Sequence, residues 1–356
     1  MNVKRFDWVL NGAILFLFGA GLLSLASTAK NLFWLELAWG ILAAIIITVT
    51  ANFDWRSLTS YRWFITGVYG FSLFLLFITL FFPAIRGTRG WLPLGPVKFQ
   101  TAEFAKLGLI LILSYFFARR HVGIANLRVI GKSFLYFAVP ALLILAQPDM
   151  GSALIIAGIW FGYLLVSGIP WRHLFAGAVV ALISLALLWN FGLKPYQKDR
   201  IMGLFNPNQD PLGVNYNVIQ AKIAIGSAGM WGKGFGQGTQ VQLGFLPVAQ
   251  SDFMFAAFTE EWGVAGTTVV LIAFFVLLYR IVRIAMASDN NFSKLICLGT
   301  SLSLLLHVMV NVGSNLGLMP VIGVPFPFLS YGGSNLVVNA LLIGMIQSSA
   351  IHKRFS

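Results

Sequence analysis

Asp252 closes a long polar stretch, 191–252, and stands at the threshold of the apolar run that follows it. A carboxylate in that place can take a proton from an attacking hydroxyl. It can equally cap the helix that the apolar run predicts, since Ser251-Asp252 is a good cap pair. Eight residues on, just over two helical turns, Glu260 falls on the same face near the external surface, whereas Glu261 points about 100° away. Glu103 and Lys106 stand three apart at the start of another apolar run, which places them on one face of a helix. They read either as a self-neutralising ion pair that fixes packing or as a polar wall of a substrate cavity. Within the polar stretch, Arg200, Lys222 and Lys233 are cations of the kind that hold an anion.

The elements that must position these groups are membrane helices. The chain is 58% apolar, 10% charged and has a mean hydropathy of +0.83, far from the averages of soluble domains. Runs long enough to cross a bilayer are expected near 9–26, 33–51, 61–82, 103–118, 133–147, 151–168, 173–191, 253–279, 295–318 and 334–350. The fold class is therefore an all-α polytopic membrane protein, a single domain over 1–356 with ten transmembrane helices and a large extracellular loop between helices 7 and 8. The fifth and sixth spans are separated only by Pro148-Asp149-Met150 and form a tight hairpin in which Asp149 caps the second helix. Basic residues in short loops gather on one side, including Lys4, Arg5, Arg56, Arg119, Arg120 and Lys353. The positive-inside rule then puts both termini in the cytoplasm and the long loop outside. The first helix can serve as the membrane signal without cleavage. In this setting the net charge of +13 is a membrane girdle, and nucleic-acid binding is not expected. Cys297 has no partner for a disulfide, and none of the four histidines shows metal-ligand spacing, so no metal site is expected from them.

The long loop has its own organisation. Asn206-Pro207 and Asp210-Pro211-Leu212-Gly213 are turn signals. Val214, Val218, Ala221 and Ile225 recur at helical spacing and predict a short amphipathic helix at, or dipping into, the membrane surface. The run from Gly226 to Thr239 is rich in glycine around Lys233, so its amides could cradle an anion, although the spacing is not that of a P-loop.

Five segments occur in one order: Phe99 to Lys106, Gln147-Pro148-Asp149-Met150-Gly151, Gln220 to Gly234, Leu246 to Phe255, and Gly317 through Ser330-Tyr331-Gly332-Gly333-Ser334. This order resembles the SEDS family of shape, elongation, division and sporulation proteins, from the third helix to the tenth. The resemblance implies a peptidoglycan glycosyltransferase of the bacterial cytoplasmic membrane, which polymerises lipid II on the outer face for cell elongation and rod shape. Its implied partner is a class B penicillin-binding protein transpeptidase, with other elongation-complex membrane proteins. The family's essential loop aspartate matches Asp252, and its paired acid and base match Glu103 and Lys106. This chain departs from the pattern at Val248-Ala249-Gln250 and at Gly90, where a basic residue often stands, so Arg89 is only a neighbouring candidate for substrate. Asp252 is then the expected general base, while Glu103, Lys106, Lys233, Glu260, Lys222 and Arg89 are expected at the substrate. The residues assign no cofactor, and a divalent cation such as Mg or Mn assisting the pyrophosphate is compatible with the chemistry. Rival readings are a lipid II flippase, a division-type polymerase and a non-catalytic scaffold.

Overall fold

The computed structural model describes residues 6–55, 61–85, 87–95, 97–120, 126–192, 195–205, 213 and 215–352. The turn signals at Asn206-Pro207 and Asp210-Pro211, Val214 of the amphipathic pattern, and the basic residues Lys4, Arg5, Arg56 and Lys353 lie outside the described residues. The helices are α1 Trp8–Thr28, α2 Lys30–Asn52, α3 Arg62–Thr79, α4 Thr101–Ala118, α5 Leu127–Ala146, α6 Met150–Val166, α7 Trp171–Leu187, α8 Pro195–Phe205, α9 Tyr216–Ser227, α10 Thr239–Gln242, α11 Met254–Met286, α12 Asn291–Asn315 and α13 Gly333–Ile351. Among the described residues eight of these are long and apolar enough to cross a membrane. The other two expected spans are the 17-residue helices α6 and α7. This is an all-α polytopic membrane protein.

Burial orders the helices. α4 is buried over 83% of its apolar window and α13 over 78%, against 11% for α2. A helix apolar on every side belongs in the centre, and one that leaves its leucines and isoleucines exposed faces lipid. α12 packs closely on α6 because Gly158 and Gly162, one turn apart, leave room for Leu306 and Leu302; a Cβ at either glycine would fall within 2.6 Å of those side chains. Asp149 caps α6 as expected, accepting from Ser152 N at 2.9 Å.

The two ends of the bundle differ. Asp7 caps α1, accepts from Arg280 of α11, and exchanges hydrogen bonds with Gln347 of α13. The described chain ends therefore share one end of the bundle. Asp252 lies at the other, where its carbonyl accepts from Asn311 and Asn315 in the last turns of α12.

Three features were not foreseen. A short antiparallel hairpin, β1 Trp91–Leu94 with β2 Val97–Gln100, precedes α4, with Trp91 opposite Gln100. α8 forms inside the stretch expected to be loop. Most consequentially, α11 is not one continuous span: Gly263 has φ 71° and ψ −175°, which splits it into Met254–Trp262 and Val264–Met286. Glu261 meets Ser27 at the end of α1, and Asp252 meets the end of α12. The first half-helix thus starts and stops at the same end of the bundle and crosses it rather than prolonging the span. Its residues from Met254 to Glu261 are all buried, as a segment enclosed on every side must be. α9 is the expected amphipathic helix, and its apolar side, at Ala221 and Ala224, packs on Leu246, Phe253, Ala256 and Ala257 of the protein.

Candidate active site

At the Asp252 end of the bundle is a cavity of about 1250 Å³. Its wall combines Asp252 and Asp149 with Lys98 and Gln100 of β2, Thr88, and Ser334 and Asn335 at the start of α13. Two apolar flanks leave this polar centre. One is formed by Leu32, Leu35 and Trp39 of α2, the other by Phe137, Ala141 and Leu145 of α5 with Leu154 and Ala157 of α6. Leu35, Leu145 and Leu154 on these flanks are exposed, and they belong to helices α2, α5 and α6, of which α2 and α5 are long and apolar enough to cross a membrane.

Asp252 sits in the turn before α11, and it is not the cap. The N-cap is Phe253, with no side-chain capping bond. Instead the turn is clamped through its backbone. Asn311 donates to the carbonyls of Asp252 and Val324 at 3.0 and 2.8 Å, and Asn315 donates to the Asp252 carbonyl at 3.0 Å while accepting from Ala256 N at 3.1 Å. Ser330 donates to the Ser251 carbonyl at 2.7 Å, and Tyr331 N to the Gln250 carbonyl at 2.9 Å. Val248 adopts φ 54°, a left-handed conformation that costs a β-branched residue, on the same cavity-lining segment. A carboxylate whose turn is fixed at three successive carbonyls by four donors from two other segments is held for a geometric purpose.

The remaining expected site residues lie elsewhere. Glu103 and Lys106 are each 3% exposed and pair at 2.8 Å beneath the cavity rather than on its wall. They reach it through Asn335, a wall residue that donates to Glu103 Oε2 at 3.0 Å. Glu260 does not face Asp252. Its Oε1 accepts from Lys233 at 2.7 Å, Gln240 N at 3.0 Å and Thr239 Oγ1 at 3.2 Å. Asp252 lies outside the helix, which begins only at Met254, so helical spacing does not set the two side chains on one face.

The glycine-rich run is likewise occupied by the chain's own groups. Lys233 N and Gly234 N donate to the carbonyls of Glu260 and Glu261, and Gly236 N to the Glu261 carboxylate. Gly229 and Met230 accept from Val264 N and Ala265 N below the break. The loop therefore plugs the broken helix and satisfies its backbone, which replaces the reading of an external anion cradle. The fit needs glycine on both sides: a Cβ on Gly232 would lie 2.2 Å from the Glu261 carbonyl, and one on Gly263 2.3 Å from Gly232 N.

Lys222 lies over Gly317 at the end of α12 and lines a separate recess of about 60 Å³. Arg89 is exposed and absent from the cavity wall, its amide bonded to the Gln147 carbonyl. The side chain of Arg200 lies outside the described residues. Among the described residues the cation that lines the cavity is Lys98, which sequence reasoning did not single out; the signal that could have done so is its place five residues before Glu103. Asn311 and Asn315, one helical turn apart within a span, were visible as costly polar groups but carried no functional mark. Among the described residues no group of three or more His, Cys, Asp and Glu side chains is placed to hold a metal ion.

A broken-helix membrane protein with a polar cavity between two apolar flanks defines the class. Residues 8–355 match the model of the FtsW, RodA and SpoVE cell cycle protein family, and the chain belongs to that family. It is 38% identical over 282 residues to the peptidoglycan glycosyltransferase MrdB of Escherichia coli K12, covering 79% of this chain and 76% of that one. Among solved structures it resembles a chain from a peptidoglycan synthase complex that coordinates polymerization and crosslinking, with a TM-score of 0.83, 32% identity and 97% coverage of both chains. The rod shape determining protein RodA of Thermus thermophilus matches with a TM-score of 0.72 and 29% identity, over 99% of this chain and 98% of that one.

Proposed function

We propose that this chain is a peptidoglycan glycosyltransferase that polymerises lipid II at the outer face of the bacterial cytoplasmic membrane, in the service of elongation and rod shape. The observation that carries the reading is a single cavity in which Asp252, Lys98 and two apolar flanks meet. Asp252 takes the proton as a sugar hydroxyl forms its bond to an anomeric carbon. The bond from that carbon to the lipid pyrophosphate breaks, and the pyrophosphate leaves with the electron pair. One carboxylate suffices for this inverting displacement. Lys98 faces the growing negative charge, and such a fixed cation acts most strongly in a site with little water. Two flanks suit a reaction in which both partners carry a polyprenyl tail. An assisting Mg or Mn ion would find two carboxylates on the cavity wall, Asp252 and Asp149, beside the oxygens of the diphosphate itself.

Both termini are assigned to the cytoplasm, in keeping with the basic residues of the short loops and with Asp7 and Gln347 sharing the end opposite Asp252. The partner is a class B penicillin-binding protein transpeptidase; likeness to a chain of a polymerizing and crosslinking complex supports it. The test is purified protein in detergent given lipid II, with and without that partner. Glycan chains are expected with the wild type and none with Asp252→Asn. Detergent leaves no bilayer to cross, so a flippase or scaffold would give no polymer.

A further inference from the structure

His307 lies inside α12, 2% exposed, and its two ring nitrogens have partners of opposite kind. Nε2 is 2.8 Å from Lys106 Nζ, and Nδ1 is 2.7 Å from the Ser303 carbonyl. The carbonyl can only accept, so Nδ1 carries a hydrogen; an ammonium can only donate, so Nε2 carries none. The charges around the ring are fixed in the same way. Glu103 accepts from Lys106 on one oxygen and from Asn335 on the other, as a carboxylate does. Asn335 in turn accepts from Asn339. Donor and acceptor roles are thus determined along the whole chain of bonds.

We propose that His307 is a positioning residue of the site, locked as the neutral Nδ1–H tautomer to hold the Lys106 ammonium beneath the cavity. It has a second geometric role through its helix. His307, Asn311 and Asn315 recur every four residues and lie along one side of α12. The first grips Lys106 and the other two grip the Asp252 peptide. One rigid helix face, about 12 Å long between its outer members, sets where the intramembrane ion pair stands relative to Asp252. The functional weight of this arrangement rests on the proposed glycosyltransferase reading, whereas the tautomer does not.

The test uses the full chain in detergent with ¹⁵N-labelled histidine, the His307 signals being assigned by their loss in His307→Gln. One protonated and one bare ring nitrogen are expected, unchanged as the pH falls from about 8 to about 5.5, and Lys106→Met is expected to shift the bare one. In the lipid II assay His307→Leu should lower kcat at least tenfold with KM little changed, and His307→Gln, whose amide oxygen can still accept from Lys106, should keep most of the rate. A His307 ring that protonates over that range, a bare nitrogen indifferent to Lys106→Met, or a fully active His307→Leu overturns the proposal. If the wild type makes no polymer while the tautomer is locked as described, it is the glycosyltransferase reading that falls and the Lys106 contact that stands.

Discussion

The Lys233 ammonium lies 2.7 Å from Glu260 Oε1, although 27 residues separate the two. This pair fastens the glycine-rich loop to the half-helix that begins just after Asp252. Glu260 is completely buried and Lys233 about a quarter exposed, so the lysine is the cation that makes burial of the acid tolerable.

Lys233→Met should therefore act on stability before chemistry. Removing one partner of a buried pair leaves an uncompensated charge, at a cost of about 3 kcal/mol. Thermal unfolding in detergent should show a clear drop, largely restored in the Lys233→Met, Glu260→Met double variant. A stable Lys233→Met protein that has lost polymerisation would instead return Lys233 to the substrate.

Gly263→Ala addresses the break itself. Alanine is strained at φ 71°, and its Cβ would meet Gly232 N at 2.3 Å, backbone that has nowhere to move. The loop should leave the break, with faster amide exchange over 229–236 and loss of activity, because the half-helix that follows Asp252 loses its far anchorage. Gly226→Ala, where a Cβ meets nothing within 4 Å, serves as the control and should be close to wild type.

What could be read in advance follows from how far each signal extends along the chain. The spans were legible because each is a long apolar run, and even the short α6 was marked by its Asp149 cap. The break in α11 was not, since one glycine in an apolar run has no periodicity to betray a left-handed backbone. Asp252 was legible by position and by its matching segment, while the cap reading failed because the helix starts at Met254 with Phe253 as its cap. Lys233 with Glu260, and Lys106 with His307, are pairings across the fold; helical spacing reveals Glu103 with Lys106 and no more. Lys98 was hidden for a further reason: it lies on a four-residue strand, too short for its alternation to be told from a loop.

Lys98 and Arg89 provide a direct contrast between two cations on the connection between α3 and α4. Lys98 lines the cavity and Arg89 does not. Lys98→Met should lower the rate of glycan formation by about tenfold or more, as expected when a cation facing developing charge is removed. Arg89→Met should stay within about twofold of wild type in the same lipid II assay, so that equal losses in the two variants would remove Lys98 from its assigned place.

Asp149 and Asp252 make a similar contrast between two carboxylates in one cavity. Asp149 accepts from Ser152 N, Ser152 Oγ and Gln100 Nε2; asparagine can replace it as a cap, but alanine cannot. Asp149→Ala should cost about 1 kcal/mol of stability, and Asp149→Asn much less. Asp252 contributes its peptide to the Asn311 and Asn315 clamp, and Asp252→Asn keeps that peptide. This variant should therefore unfold at the wild-type temperature yet form no glycan, because an amide cannot accept the hydroxyl proton. An Asp252→Asn protein that is inactive only because it is unstable would assign the residue to the scaffold, and one that polymerises normally would require another base.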